Sequence, residues 1–241
     1  MIIMLPDFRY IFFCMIFFLG EITAQEEPKD KPFWVLENGI ILFFDVNGYE
    51  TDSYTCGEAS VSELDLNSDG YEELIVTQKR RMGGNLFYSL VLFDGSRVFS
   101  FVDSIYSGLV EPEVDYHSEL NSFVIISGNP AMDSIFLSKG GRGSYNPVRY
   151  FVYDGEGIPD VSTDLYEDYS RTNEMLIEML SGQYGDDSYI CEASEKVFGT
   201  VLTIVLNFLA SEEKALALKY FEKFYNCPDK QIMITKLQEL N

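Results

Sequence analysis

Histidine and tryptophan are almost missing from this chain: 241 residues hold one of each, His117 and Trp34. A nucleophilic hydrolase needs a base beside its nucleophile, and a zinc site needs several imidazoles or thiolates at paired spacing. One histidine, set among polar residues in Val114-Asp115-Tyr116-His117-Ser118, reads as a surface-loop residue and serves neither role. Basic residues are also scarce, 17 against 39 acidic, for a net charge of −22. Such a chain repels phosphate backbones, which argues against nucleic acid as a partner and leaves cations and basic proteins as its natural company. The four cysteines, Cys14, Cys56, Cys191 and Cys227, fall at no metal-binding spacing. Gly140-Gly141-Arg142-Gly143 lacks the Lys-Ser/Thr of a phosphate-binding loop and reads as a flexible turn. No apolar run reaches the ~20 residues that cross a bilayer as a helix. Paired carboxylates are the one catalytic device left open, because an acidic chain offers many and spacing singles out no two.

What is present begins with an address. Arg9 precedes the apolar run Ile11–Leu19, and small residues end at Thr23-Ala24, the pattern of a secretory signal over 1–24, with an uncleaved anchor as the alternative. Gln25–Pro32 is a polar, charged leader. Export to the periplasm or medium permits disulfides and makes calcium abundant, and three cysteines then remain to share one bridge.

The most informative stretch is Asp65-Leu-Asn-Ser-Asp-Gly-Tyr-Glu-Glu73. Side-chain oxygens fall at Asp65, Asn67, Asp69 and Glu73, Gly70 supplies the turn, and Tyr71 offers a backbone carbonyl. A hard cation such as calcium takes that spacing. The helix-loop-helix version fails, since its twelfth position is Val76 rather than Glu. A β-branched strand, Leu74-Ile75-Val76-Thr77, follows instead. The alternative is an Asx-rich turn with no metal. The stretch resembles the calcium loop of FG-GAP and integrin-type propellers, Asp-x-Asn-x-Asp-Gly-x-x-Asp/Glu before a Leu-Ile-Val strand. The motif occurs once, so a whole propeller of that type is not implied. Gly83-Gly84 followed by Tyr88-Ser-Leu-Val-Leu-Phe-Asp94 is more closely similar to small exported bacterial proteins with a single such loop. These include periplasmic lysozyme inhibitors and immunity proteins against cell-wall-degrading toxins. The resemblance spans roughly Val61–Gly155. It implies calcium held by Asp65, Asn67, Asp69, Tyr71 and Glu73, and a partly built, propeller-like β unit.

Turn signals between β-leaning runs predict an antiparallel β domain over 33–158, with strands at 39–44, 61–64, 74–77, 86–93, 97–102, 123–127, 134–137 and 150–153. Asp94-Gly95 and Asp154-Gly155 sit at hairpin positions. Over 159–241 the pattern turns helical, with helices predicted at 164–180, 192–209 and 211–226 and a short one at 229–240. Ser181-Gly182 is expected to stop the first, Val197–Leu209 to form a central buried helix, and Ser211-Glu212-Glu213 to cap the third. An antiparallel hairpin of the second and third would bring Cys191 to Cys227 as a disulfide, leaving Cys56 a buried free thiol. The fold class expected is therefore α+β.

Three functions fit. The first is a non-enzymatic binder of another protein, inhibitor or immunity type, whose partner would be a basic cell-wall hydrolase or toxin. The second is an exported hydrolase or carbohydrate-processing protein using paired carboxylates, and the third a structural surface module. Lys79-Arg80-Arg81 is the only basic cluster and the candidate partner-binding segment; a solvated hairpin tip is the alternative.

Overall fold

A computed structural model describes residues 31–141, 144–184 and 195–240. It has the α+β architecture expected, antiparallel sheets followed by helices. Three meander sheets succeed one another along the chain. The first joins β1 (Phe33–Glu37), β2 (Ile40–Phe44) and β3 (Glu50–Thr55). The second runs in order through β4 (Glu58–Leu64), β5 (Glu73–Met82), β6 (Asn85–Asp94) and β7 (Ser100–Gly108). The third holds β8 (Glu113–His117), β9 (Ser122–Gly128) and β10 (Val148–Phe151).

The alternation of β5 and β6 explains why the second sheet is central. Leu74, Val76, Val91 and Phe93 point to one face and pack with Ile41, Phe43 and Phe99. Ile75, Leu90 and Leu92 point to the other and pack with Ile125, Phe151 and Tyr153. A strand apolar on both faces must be covered on both, and the first and third sheets supply the covers. The result is a partial, propeller-like stack of meanders.

The segment 134–137, expected as a strand, is instead part of α1 (Asp133–Ser138). Asn129-Pro130 starts a helical turn just before it: Asn129 Oδ1 accepts the Ala131 N–H at 3.3 Å and Pro130 stands where its missing N–H costs nothing. Phe136 then lies flat on Tyr145, ring centroids 4.3 Å apart, and both enter the core of the helices. Beneath this turn Asp133 is buried, accepts the Leu109 N–H at 3.1 Å, and has its carboxyl pushed up to about 6 by burial. Gly108, at φ +66°, leaves the space that the Asp133 carboxylate fills.

The helical section comprises α2 (Tyr166–Tyr184), α3 (Glu195–Ala210), α4 (Lys214–Phe224) and α5 (Lys230–Glu239). As expected, α3 is the buried centre: Val201, Leu202, Ile204, Val205 and Leu206 are all inaccessible. Two boundary expectations fail. Ser181-Gly182 does not stop α2, which runs on to Tyr184; a glycine on an exposed helix face weakens a helix without ending it. Ser211 does not cap α4. Its hydroxyl donates back to Asn207 O at 3.0 Å and so belongs to the end of α3, while Glu213 precedes α4 without a side-chain cap. Among the described residues no helix is long and apolar enough to cross a membrane. The signal, most of the leader and Cys191 of the expected Cys191–Cys227 bridge lie outside the described residues. Cys56 is a buried free thiol.

Candidate metal centre

The turn between β4 and β5 is folded by its own oxygens. Asp65 Oδ1 accepts the Asp69 N–H at 3.1 Å and Oδ2 the Gly70 N–H at 3.0 Å. Asn67 Oδ1 also accepts the Asp69 N–H, at 3.0 Å, and Asp69 Oδ1 takes the Tyr71 N–H at 2.8 Å. Such Asx turns need left-handed backbone at intervals, which Ser68 (φ 61°) and Gly70 (φ 92°) supply. The side chains of Asp65, Asn67 and Asp69 are thereby drawn to the inside of one ring. Each carboxylate oxygen that accepts one N–H keeps a second lone pair.

Glu73 is the unusual member. It opens β5 on the same face as Ile75 and is fully inaccessible. Its Oε2 accepts the Leu66 N–H at 2.7 Å, but its Oε1 has no partner. A carboxylate kept from water with one oxygen unanswered carries a heavy desolvation cost. Burial accordingly pushes the Glu73 carboxyl up to about 7, and the nearby charges of Asp69, Asp65 and Asp94 push the same way. Asp94 reaches this place because Leu74 pairs with Phe93, which sets Glu73 and Asp94 side by side one step further along the ladder. Tyr153, buried two residues past the end of β10, senses the same group: after burial, Asp94, Glu73, Asp69 and Asp154 raise its hydroxyl to about 12.

The two Asp-Gly turns enclose this group. Asp94 Oδ1 accepts the Ser96 N–H at 2.7 Å, and Asp154 Oδ1 the N–H groups of Glu156 and Gly157 at 2.9 and 2.8 Å. Gly95 lies so close to Glu72 O that no side chain would fit there. On the outer rim Lys31 pairs with Glu72, and the Trp34 indole N–H donates to Glu63 Oε1 at 2.8 Å, two residues before the turn.

The five residues proposed for the cation therefore share one turn, with Asp94 brought beside Glu73 by strand register and the Asp154-Gly155 turn lying against Asn67, an addition no local spacing could reveal. Among the described residues, no three His, Cys, Asp or Glu side chains already converge as a ready-made metal cluster. The ring is closed instead by hydrogen bonds to its own backbone.

The other candidates fall elsewhere. Lys79, Arg80 and Arg81 lie at the far end of β5, in strand rather than loop; the hairpin tip itself is Gly83-Gly84. His117 is not the loop residue expected. It ends β8, half-buried, with Nε2 2.7 Å from Asp168 Oδ2 on α2 and Nδ1 accepting the Leu120 N–H at 3.4 Å. Both ring nitrogens are engaged, so it tethers the third sheet to the first long helix. Comparison with family models, with curated proteins and with solved structures finds no match, and the reading of the site rests on the residues themselves.

Proposed function

We propose that the chain is an exported, non-enzymatic protein binder of inhibitor or immunity type, whose β unit is pinned by one calcium ion in the turn Asp65–Glu73. The observation that carries the metal reading is the inaccessible Glu73 oxygen without a partner, in the field of three further carboxylates. A divalent cation would answer that oxygen, hold Glu73 ionised and relieve the mutual repulsion of Asp65, Asp69 and Asp94. Asp65, Asn67 and Asp69 would contribute side-chain oxygens and Tyr71 its carbonyl. The role is structural: the ion would tie the turn to the central sheet and to Tyr153, just past the end of β10.

Binding rather than catalysis is supported by the engagement of both His117 nitrogens and by the resemblance to inhibitor and immunity proteins. The acidic surface suits a basic partner such as a cell-wall hydrolase or toxin. The Cys191–Cys227 bridge is proposed for the same exported protein. Three measurements test the reading. Calorimetric titration with calcium should give one site, and saturation at a hundred times Kd should stabilise by about 2.7 kcal/mol. Glu73→Gln should abolish that response while leaving the metal-free protein as stable or more so. Affinity capture from native periplasm should recover a stoichiometric protein. Absence of any calcium response removes the metal; turnover of a polysaccharide in place of a partner removes the binder.

A further inference from the structure

The central sheet carries its opposite charge at its opposite end. β5 and β6 extend beyond the edge of the first sheet, whose cover over them stops at Cys56. Past that point lies a cleft of about 380 Å³, lined among others by Gln78, Arg80, Met82, Phe87 and Tyr106. The ladder accounts for the grouping: Arg80 pairs with Phe87, and Tyr106 of β7 with Ser89 of β6, next to Gln78. The floor is held in place, because the Gln78 amide donates to Cys56 O at 3.2 Å and accepts from Ser89 Oγ at 3.4 Å. Above it Tyr106 is 53% exposed and Met82 41%. Lys79 is neutralised by Glu111 at 3.0 Å. Arg80 and Arg81 are exposed and have no ion pair among the described residues.

Arg80, on the face of Gln78 and Met82, is an unneutralised guanidinium in a chain of net charge −22 and a local exception to its field; Arg81, one residue along the strand, faces the other side of the sheet. Arginine presents a fork that fits carboxylates in pairs, and Arg, Tyr and Met are the side chains that protein interfaces concentrate. An anion that was acidic throughout would be repelled by the rest of the molecule. A short acidic stretch on an otherwise basic partner would not. We propose that this cleft is the contact site for an extended acidic segment of the partner protein, with one carboxylate on Arg80 and an aromatic or aliphatic side chain laid over Met82, Phe87 and Tyr106. The proposal rests on the binder reading above and deepens it.

The test is fluorescence anisotropy of the full chain with a labelled peptide, Glu-Phe-Asp-Glu-Tyr-Glu, against its amide analogue Gln-Phe-Asn-Gln-Tyr-Gln. The acidic peptide should bind at least about tenfold tighter, a difference of one bidentate pair, and its affinity should fall with salt. Arg80→Glu and the milder Arg80→Gln should each remove the preference without lowering Tm, and Tyr106→Ala should weaken both peptides alike. Equal binding of the two peptides overturns the proposal, as does indifference to both Arg80 variants. Displacement by inorganic phosphate or an oligouronate as effective as unlabelled peptide also overturns it, since the site is then a general anion site. A native partner retained equally by R80E and the unaltered chain overturns this cleft and leaves the binder reading standing. Loss of every native partner with peptide binding intact does the reverse.

Discussion

Among the described residues each half of the molecule buries one side-chain oxygen with no partner, and the two differ in kind. In the β unit it is Glu73 Oε1; in the helices it is Asn207 Oδ1. Asn207 stands in α3 opposite Asn173 of α2, where its amide donates to Asn173 Oδ1 at 3.1 Å and the Asn173 amide donates to Ile204 O at 3.2 Å. Its neighbours are neutral, and one unanswered lone pair there costs little beyond a lost hydrogen bond. Glu73 is an acid among acids. On our proposal a cation fills its missing contact, and without one the fold holds a proton there instead, whereas the defect in the helices calls for neither.

The comparison can be broken first where it is strongest. Phe221, fully buried in α4, lies in the apolar cluster around α3. Phe221→Ala should cost about 3–5 kcal/mol in chemical denaturation and leave the calcium titration unchanged; a lost calcium response would show that the two halves are not independent. Next comes pH. The Glu73 carboxyl is raised from 4.5 to about 7 in the fold, so the folded chain holds a proton that the unfolded one has released. Without calcium, stability should therefore fall as pH rises between those values, by on the order of 3 kcal/mol. Asp133, raised from 3.8 to about 6, adds a fall of the same sign that ends sooner. Calcium should abolish the Glu73 part and spare the Asp133 part, so melting curves at pH 5, 6 and 7.5 with and without the ion separate them.

The helical defect predicts a smaller and metal-blind effect. Asn207→Leu alone should destabilise by about 1–3 kcal/mol, because Asn173 loses its donor, whereas the double change of Asn173 and Asn207 to Leu should be near neutral. Additive losses would mean the pair is worth more than its geometry suggests. Smallest is the tether between the halves: His117→Ala should cost about 1 kcal/mol, the value of one partly exposed hydrogen bond. Asp168→Asn should cost no more, since an amide oxygen can still accept from Nε2.

Much of this was legible in local sequence. The oxygen spacing of 65–73, the β-branched strand after it and the apolar centre of α3 all act over a few residues, and periodicity records them. What escaped depends on distant residues. The strand Glu50–Thr55 is almost wholly polar and exposed, an edge held by pairing to β2, so no alternation marks it. The run Ser134–Leu137 is apolar enough for a strand; only the Asn129-Pro130 turn and the place for Phe136 beside Tyr145 make it a helix. Asp94 has the local look of a turn residue, and its approach to Glu73 is a fact of register. His117 offered no hint of Asp168, since 51 residues separate them.

Trp34 has a use beyond its own packing. Its indole is the chain's sole strong fluorophore of that kind, and it is wired to Glu63, a near neighbour of Asp65 in the same cleft wall. Any ordering of the adjoining turn has to be felt across that one N–H bond. The protein thus comes with a built-in optical gauge: a shift in a single emission band, read in unlabelled material, should follow an arriving ion.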